Sequence, residues 1–455
     1  MTVPPNKKYL ASKLYSQSVQ AKVPAKKNCV RKESEDAHYY ASRVRYRVEM
    51  GSKYSNCCAM LSCDTMNKVN VGTLAVSRYH QHQRFFPVDD YPDYPDHDFP
   101  KGAGYKLTPV GHMFLKCDEQ EHTLDEFGRQ HFPYPRTGPS TIVTRCQKFH
   151  PLTIEMHTND LIPLLREQVL GGKTICILIV DGGPDWNPKS WSVILYLTRL
   201  FKACNLDLLC STSYGPGQSA YNPIEHLWAP LSKMLTGVTL PDYLPGEEPP
   251  IKQTNLSKEQ REAKELEVFN RALDTLSEYW DGKKFHGFRV TAKVQKCSEK
   301  NYPFCDYTSV HELLKRPSQV KARQDILDEF RFALNHCDRR NGEFSIMKCR
   351  NSKCEYCTLN PPSQEAKVVL NDIFEHGGLP SPSLDPENPS RYRTFTQAMD
   401  ECFVQADTGL SRFELKKLGS CSFCPAYVFV SETDFVNHMA LFHNVKPRVS
   451  RSKLR

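Results

Sequence analysis

Alternating apolar and polar segments along the chain predict strands and helices in a mixed order. The wholly apolar run Ile175–Val180 ends on Asp181 and is followed by Gly-Gly-Pro, which is typical of a buried central strand. Upstream, strands are predicted over Cys57–Cys63 and Val69–Ser77, with further strands between residues 107 and 149.

Helical periodicity recurs between and after these strands. Apolar spacing predicts helices over residues 35–50, 158–170, 191–204, 225–235, 257–280 and 319–335, and one more strand over residues 206–210. Thr158 to Asp160 is expected to cap the second helix, and Gly171-Gly172 to end it. The alternation predicts an α/β fold, a mixed sheet with helices on both faces.

These elements, together with changes in composition, divide the chain into nine segments. The predicted order is a basic extended arm (1–34), a helical lead-in (35–54), the α/β core (55–240), a linker (241–256), a mostly helical region (257–340), a cysteine cluster (341–360), linker and helix (361–415), a zinc finger (416–445) and a basic tail (446–455). No internal repeat is found in the sequence.

Composition is that of a folded soluble protein, since 39% of the residues are hydrophobic and 25% are charged. No apolar run approaches the roughly 20 residues of a membrane-spanning helix, and the N-terminus lacks a secretory signal. We therefore expect an intracellular protein without a membrane partner. Its 18 cysteines are then expected to be reduced thiols and metal ligands.

Positive charge is concentrated at the two ends of the chain. Residues 1–50 contain 11 Lys and Arg against 4 Asp and Glu, whereas the net charge of the whole chain is +8. The last ten residues add five basic side chains and no acid. This distribution favours a polyanion partner, most simply nucleic acid, although solubilising tails would give the same pattern.

Three carboxylates stand where a nuclease would carry its metal ligands. Asp64 ends one predicted strand, Asp181 ends the apolar strand, and Glu225 lies in the first turn of a helix. Mg²⁺ or Mn²⁺ takes oxygen ligands, and phosphoryl transfer at DNA uses two cations roughly 4 Å apart. We expect Asp181 to bridge the two ions, with Asp64 and Glu225 on either side.

The order and local sequence of these residues resemble the DDE transposase superfamily. The string Asn222-Pro-Ile-Glu-His-Leu-Trp228 is similar to the third-carboxylate helix of mariner-type transposases. The resemblance covers roughly residues 55–240 and implies a ribonuclease H-like core with a five-stranded mixed sheet. It also implies that the first Asp lies on strand one, the second after strand four and the Glu on the following helix.

The chain departs from the mariner pattern around the second carboxylate. A stretch of 43 residues separates Asp181 from Glu225, and Gly-Gly-Pro-Asp-Trp replaces the usual continuation, so Asp185 is a rival second ligand. Asp181 as a turn residue and Glu225 as a helix-dipole acid are the alternatives for each residue alone. His226 either touches substrate phosphate or is a surface histidine, and Leu227 and Trp228 are expected in the core.

Near the C-terminus, a four-residue motif predicts a zinc site. Cys421, Cys424, His438 and His443 have the spacing of a two-Cys two-His zinc finger, and Phe429 and Phe435 are placed as its small core. A unit this small needs Zn²⁺ to fold. Its helix face carries Ser431, Glu432, Asp434 and Asn437, so the finger is as well suited to a protein partner as to DNA.

A second cluster brings three thiols within nine residues. Cys349, Cys354 and Cys357 could form a structural zinc site with either His336 or Cys337 as the fourth ligand. Buried free cysteines are the alternative. Three further cysteines lie in or beside the first predicted strand and are interpreted as small hydrophobic residues, namely Cys57, Cys58 and Cys63.

These features and the resemblance imply a nuclear, transposon-derived protein that cuts and joins DNA with Mg²⁺ or Mn²⁺. Zn²⁺ is expected to stabilise its fold. The sequence is compatible with a homo-oligomer but does not predict one. Two other hypotheses fit the sequence. One is a domesticated, catalytically silent protein that binds DNA or protein through its zinc finger. The other is a nuclease that hydrolyses without strand transfer. No helix-turn-helix for recognising transposon ends is evident before Asp64.

Overall fold

The fold is seen in a computed structural model, which describes most of the chain between residues 36 and 445. The described ranges are 36–76, 105–116, 134–298, 302–315, 324–340, 342–400, 421–423, 429 and 432–445, with two-residue strand pairs at Ala21–Lys22 and Phe86–Pro87 and at Thr123–Leu124 and Gln130–His131. Most of the basic arm and the whole basic tail therefore lie outside the described residues.

Ten strands form one mixed sheet. They are β1 (Cys58–Thr65), β2 (Val69–Asn70), β3 (Lys106–Phe114), β4 (Ser140–Cys146), β5 (Ile175–Val180), β6 (Leu208–Ser213), β7 (Lys284–Phe285), β8 (Phe288–Gln295), β9 (Cys337–Arg340) and β10 (Glu343–Met347). Their order is β7-β8-β4-β3-β1-β5-β6-β10-β9, and β2 pairs with β3. Strands β1, β5 and β6 run parallel, and β3 is antiparallel to both β1 and β4.

Helices cover both faces of this sheet. The described helices are α1 (Ala37–Lys53), α2 (Ile154–Leu170), α3 (Trp191–Ala203), α4 (Glu225–Met234), α5 (Lys258–Trp280), α6 (Tyr307–Lys315), α7 (Gln324–His336), α8 (Glu355–Leu359), α9 (Gln364–Glu375), α10 (Phe395–Asp400) and α11 (Glu432–Phe442). None of the helices within the described ranges has the length and apolarity needed to cross a membrane.

Strand β5 lies at the centre because all six of its side chains are buried. Ile175, Ile177 and Ile179 join the core packed against α1, α4 and α5, whereas the three alternate residues face the core beneath α2, α3 and α7. A strand buried on both faces is expected to be continuously apolar, which explains its sequence. The predicted mixed α/β sheet with flanking helices is thus confirmed.

The sheet is larger than the sequence predicted. Five strands were expected within residues 55–240, where six are found if the two-residue β2 is counted. Four more come from residues 284–347, in the region predicted to be mostly helical and in the cysteine cluster. Strand β8 pairs in parallel with β4, and β10 pairs antiparallel with β6. The later part of the chain therefore extends both edges of the central sheet.

Two predicted boundaries were wrong. Helix α2 begins at Ile154 with Thr153 as its N-cap residue, so Thr158 lies inside the helix and donates to the Ile154 carbonyl at 2.8 Å. Asp160 does not cap the helix because Arg145 donates to both of its carboxylate oxygens.

The predicted strand Val69–Ser77 ends at Asn70. Gly72 adopts a φ of +79°, which breaks the extended backbone, and isolated bridges to residues 236–240 replace regular pairing. Ser77 lies outside the described residues.

Candidate functional site

Asp64 and Asp181 lie at the same edge of the sheet. Strands β1 and β5 run parallel with Ser62 opposite Ile179, so Asp64 and Asp181 come level two residues further along. Neighbouring strands are separated by roughly 4.8 Å, which brings the two carboxylates close together. The exposed fraction of Asp64 is only 8%.

Backbone amides orient both carboxylates. The Thr65 N–H donates to Asp64 Oδ1 at 2.7 Å, and the Gly183 N–H donates to Asp181 Oδ1 at 2.9 Å. The chain turns sharply after β5 through Gly182, whose φ of +75° favours glycine. A Cβ atom at Gly183 would lie 2.9 Å from Asp181 Oδ2, so this glycine leaves the carboxylate uncovered.

Glu225 is brought to these residues by a buried hydrogen-bond cluster. The Asn222 side-chain amide donates to the Cys63 carbonyl at 3.3 Å, and Asn222 Oδ1 accepts from the Ser62 hydroxyl at 2.5 Å. The Ile224 N–H donates to the same Ser62 hydroxyl at 3.0 Å. Because these bonds join the start of α4 to β1 directly before Asp64, they fix Glu225 beside the first carboxylate.

Helix α4 can approach the sheet closely because β3 carries a glycine opposite Asp64. Gly111 is the register partner of Asp64. A Cβ atom at Gly111 would lie 2.6 Å from the Trp228 ring and 2.7 Å from the end of the Ile224 side chain. Trp228 and Leu227 are buried, as predicted for core residues.

The electrostatics of Asp64 show that the three carboxylates interact. Burial raises the pKa of Asp64 well above its usual range, and repulsion from Asp181 and Glu225 raises it further. A hydrogen bond shared with Glu225 acts in the same direction. A buried acidic group that is repelled by two neighbouring carboxylates is suited to contact with a positively charged ligand.

Asp185, the rival second ligand, also lies close to this cluster. Burial, followed by repulsion from Asp181, raises the pKa of Asp185, and the positive charge of Lys68 opposes the rise. Asp185 is therefore an additional acidic neighbour of Asp181. Its position does not exclude Asp181 as the second metal ligand. His226 is exposed on α4, next to Glu225.

The cysteine cluster forms a compact group with His336 as its fourth member. The ligand atoms of His336, Cys349, Cys354 and Cys357 all lie within 4.8 Å of one another. His336 Nε2 lies 3.4 Å from the Cys354 sulfur and 3.3 Å from the Cys357 sulfur. Three thiols and one imidazole could hold a metal ion such as zinc, and Cys337 is not part of the group.

The His336 ring is oriented by its surroundings. Its Nδ1–H donates to the Phe332 carbonyl at 2.8 Å, which leaves Nε2 facing the thiols. The imidazole stacks on the Phe332 ring with centroids 3.9 Å apart. The ammonium group of Lys202, which lies on α3, is 3.9 Å from the centroid of the same Phe332 ring. A metal here would join the end of α7 to α8 and to the loop before it.

Three of the four predicted zinc-finger ligands also lie together. The ligand atoms of Cys421, His438 and His443 are within 4.8 Å of one another, and the two His Nε2 atoms are 3.0 Å apart. Cys424, the predicted fourth ligand, lies outside the described residues. Phe429 packs edge-on against Phe435 with ring centroids 4.9 Å apart, as expected for the small core of a finger.

Helix α11, which carries His438 and ends directly before His443, packs on the helices that cover the sheet. Phe442 of α11 lies 6.1 Å from both the Trp191 ring and the Phe330 ring, measured between centroids. Met439 is buried in the same core as Trp191 and Phe330. One face of α11 therefore contacts α3 and α7 of the same chain, a protein contact rather than a surface facing solvent.

The carboxylates are spaced more widely than the Cys and His ligands. Within the described residues, the groups of three or more His, Cys, Asp or Glu ligand atoms closer than 4.8 Å are the two Cys/His clusters, so the three carboxylates do not meet this spacing. The three carboxylates therefore do not form a compact single-ion site like the two Cys/His clusters.

Comparisons of the chain with protein-family models, with curated proteins and with solved structures gave no match. The function is therefore inferred from the chemistry of the described residues.

Two residues that position the site were missed in the sequence. Ser62 is separated by 160 residues from Asn222, and nothing in a strand pattern reveals such a partner. Gly111 lies in the middle of β3, where a glycine in a strand signals close approach of another element. That signal was present, but it does not identify the approaching helix.

Proposed function

We propose that the chain is a DNA-processing phosphoryl transferase of the DDE transposase type, with a ribonuclease H-like core. The observation that carries the proposal is the interaction of Asp64, Asp181 and Glu225, although 116 and 43 residues separate them along the chain. Acidic side chains brought together from two strands and a helix destabilise the fold through their repulsion. A bound cation would offset this repulsion. Binding of DNA and a nuclear location follow from this proposal.

The strand order supports the ribonuclease H-like part of the proposal. The five central strands run β4-β3-β1-β5-β6, with β3 antiparallel to its neighbours. Asp64 lies on the first of these strands in chain order, and Asp181 directly follows the fourth. Glu225 opens the helix after the fifth strand. This is the distribution of carboxylates that the resemblance to DDE transposases implies.

The donor set fits Mg²⁺ or Mn²⁺. Carboxylate oxygens are hard ligands of the kind that these ions prefer, and the ions retain waters that fill the remaining positions. When bound, two such cations would activate the attacking oxygen and stabilise the leaving oxygen. Asp181 repels both Asp64 and Asp185, so it is the residue best suited to contact both ions.

The proposed reaction transfers phosphorus between oxygen atoms. In the first step, a water oxygen bonds to the phosphorus, the bond to the 3′ oxygen breaks, and the released 3′-hydroxyl takes up the proton. In the second step, the oxygen of this 3′-hydroxyl bonds to a phosphorus in another strand. The bond between that phosphorus and its 3′ oxygen breaks, and the leaving 3′ oxygen takes up the proton. No protein side chain becomes covalently attached, so the carboxylates serve to hold and orient.

The two Cys/His clusters are assigned a structural role with Zn²⁺. We propose that Cys424 completes a two-Cys two-His finger with Cys421, His438 and His443. Because α11 packs on α3 and α7, this finger would contribute to the stability of the domain and is not assigned a role in reading DNA.

A second candidate is a catalytically silent binding protein. It is favoured by the wider spacing of the carboxylates compared with the two compact Cys/His clusters. Such a protein would keep its fold and its zinc while lacking cation-dependent chemistry.

Nicking of supercoiled plasmid DNA in Mg²⁺ separates these candidates. Wild type should nick the plasmid, whereas Asp181→Asn and Glu225→Gln should lose at least about a hundredfold in rate, or about 2.7 kcal/mol of barrier. Glu262→Gln, an exposed glutamate on α5, is the matched control and should retain activity. Equal residual activity in all four proteins would remove the enzyme proposal, and strand-transfer products would distinguish a transposase from a hydrolytic nuclease.

A further inference from the structure

A polar cavity of about 210 Å³ lies between helix α1 and the segment that follows α9. The lining includes His38, Arg45, Tyr46, Arg391, Arg393 and Thr394. None of its residues belongs to the carboxylate cluster or to either Cys/His cluster. The proposed catalytic reaction therefore leaves this cavity without a function.

Basic side chains outnumber acidic ones in the lining of the cavity. The lining contains three arginines, Arg45, Arg391 and Arg393, and one acidic residue, Asp385. The Asp385 carboxylate accepts a hydrogen bond from the Glu387 N–H at 3.1 Å, and Arg391 is exposed. Guanidinium groups present a planar fork of donors, which matches the oxygen atoms of a phosphate group.

The backbone holds two of these arginines in place. The Asp385 N–H donates to the Arg391 carbonyl and the Arg393 N–H donates to the Ser383 carbonyl, both at 2.9 Å. Residues Leu384 and Tyr392 form a bridge between the two sides of this loop. The arginines therefore extend from a short, hydrogen-bonded loop.

Side-chain contacts join the same loop to helix α1. The Tyr392 ring packs edge-on against His38, with centroids 4.7 Å apart. The Arg45 guanidinium is held by Glu49 at 2.7 Å, and Glu49 also accepts from the Phe395 N–H at 2.6 Å. The cavity is thus built from two elements whose relative position is fixed by hydrogen bonds.

Helix α1 also contacts the sheet edge that carries Asp181. The Gln218 side-chain amide donates to the Ala37 carbonyl at 2.9 Å, and the Arg43 guanidinium donates to the Ser213 carbonyl. A Cβ atom at Gly182, next to Asp181, would lie 3.1 Å from Ser213 Cβ. One helix thus links the arginine cavity to the loop beside the carboxylates.

We infer that this cavity binds a phosphate group through Arg391 and Arg393. The phosphate could come from the backbone of a nucleic-acid strand or from a free polyphosphate such as pyrophosphate. The inference goes beyond the proposed catalysis, because binding of the phosphate requires none of the three carboxylates.

The test measures binding without added divalent cation and with zinc retained. One arm titrates a fluorescently labelled oligonucleotide, and the other titrates pyrophosphate. The proteins are wild type, Arg391→Gln, the double variant Arg391→Gln/Arg393→Gln, and Arg331→Gln as an exposed arginine control on α7. All four proteins, including the one called wild type in this test, are made in an Asp181→Asn background, so that DNA cleavage cannot change the result.

The double variant should bind about ten- to a hundredfold more weakly, as expected for lost hydrogen bonds between charged groups, and Arg391→Gln should show part of this loss. The control should change Kd less than twofold. Weaker binding of the oligonucleotide identifies a nucleic-acid phosphate. The slope of log K against log salt concentration should then fall in magnitude by about one for each lost phosphate contact. Weakening only in the pyrophosphate arm identifies a free polyphosphate. Absence of wild-type binding in both arms, or the same Kd in the double variant and the control, overturns the inference.

Discussion

The side-chain amide of Asn222 donates a hydrogen bond to the carbonyl of Cys63, the residue directly before Asp64. This bond joins the start of helix α4 to the end of strand β1, so the distance between Glu225 and Asp64 depends on a neutral residue that ligates nothing. The Asn-Pro-Ile-Glu string is thereby explained structurally, since Asn222 positions the acid that follows it.

Replacement of Asn222 by Ala should therefore reduce both stability and DNA nicking. The change leaves the buried Ser62 hydroxyl and the Cys63 carbonyl without their partner, which costs about 1–3 kcal/mol. Urea unfolding and plasmid nicking measure the two effects. Asn255→Ala, an exposed asparagine, should stay within about 0.5 kcal/mol of wild type. Equal stability of the two variants would contradict the role given to Asn222.

A methyl group at Gly111 should push helix α4 away from the sheet. In Gly111→Ala the new atom would meet the Trp228 ring at 2.6 Å, and overpacking of this kind costs about 1–3 kcal/mol. Thermal unfolding should show the loss. Gly111→Ala combined with Trp228→Phe should recover part of it, because the smaller ring removes one of the two clashes. Strict additivity of the two changes would show that these residues do not touch.

Replacing a ligand of the Cys3His cluster should lower the zinc content of the protein without removing zinc from the finger. Replacement of Cys354 by Ser is expected to remove one equivalent of zinc per chain and to lower the unfolding temperature, because a metal bound by the cluster would join α7 to the loop before α8. Elemental analysis and calorimetry measure these changes. Cys305→Ser, which replaces an exposed cysteine outside both clusters, is the matched control and should match wild type. A Cys354→Ser protein with unchanged zinc would exclude the cluster as a metal site.

Stability should depend on pH through the buried pair of Arg47 and Glu343. Burial alone would raise the pKa of Glu343, but attraction to Arg47 and their hydrogen bonds outweigh it and lower the pKa. A lowered carboxyl pKa contributes stability above the unfolded value of about 4.3, and the contribution is lost as pH falls through the folded value. Glu343→Gln should thus be about 3–5 kcal/mol less stable at pH 7.

The difference in free energy of unfolding between wild type and Glu343→Gln should become smaller as the pH falls below about 4. Denaturant unfolding at a series of pH values tests this sign. The double variant Arg47→Met/Glu343→Leu removes both charges and should lie near wild-type stability at pH 7. A gap that stays constant between pH 7 and pH 3 would show that the ionised pair does not stabilise the fold.

Local patterns in the sequence predicted the central elements well. The apolar run before Asp181 could only be buried on both faces, and the Cys and His spacings restricted the possible ligands. The pattern could not show that strands β7 to β10 would enlarge the sheet, because strand pairing is decided by contacts distant in sequence. It also left His336 and Cys337 as equal alternatives. The direction of the His336 ring, fixed by its bond to the Phe332 carbonyl, distinguishes them.

Binding of Mn²⁺ to the zinc-loaded protein, followed by electron paramagnetic resonance, tests most directly whether the three carboxylates form a cation site. Wild type should bind Mn²⁺, Asp181→Asn and Glu225→Gln should lose most of this binding, and Glu262→Gln should keep it. Mn²⁺ binding of equal strength in all four proteins, or no binding in any of them, would contradict the account.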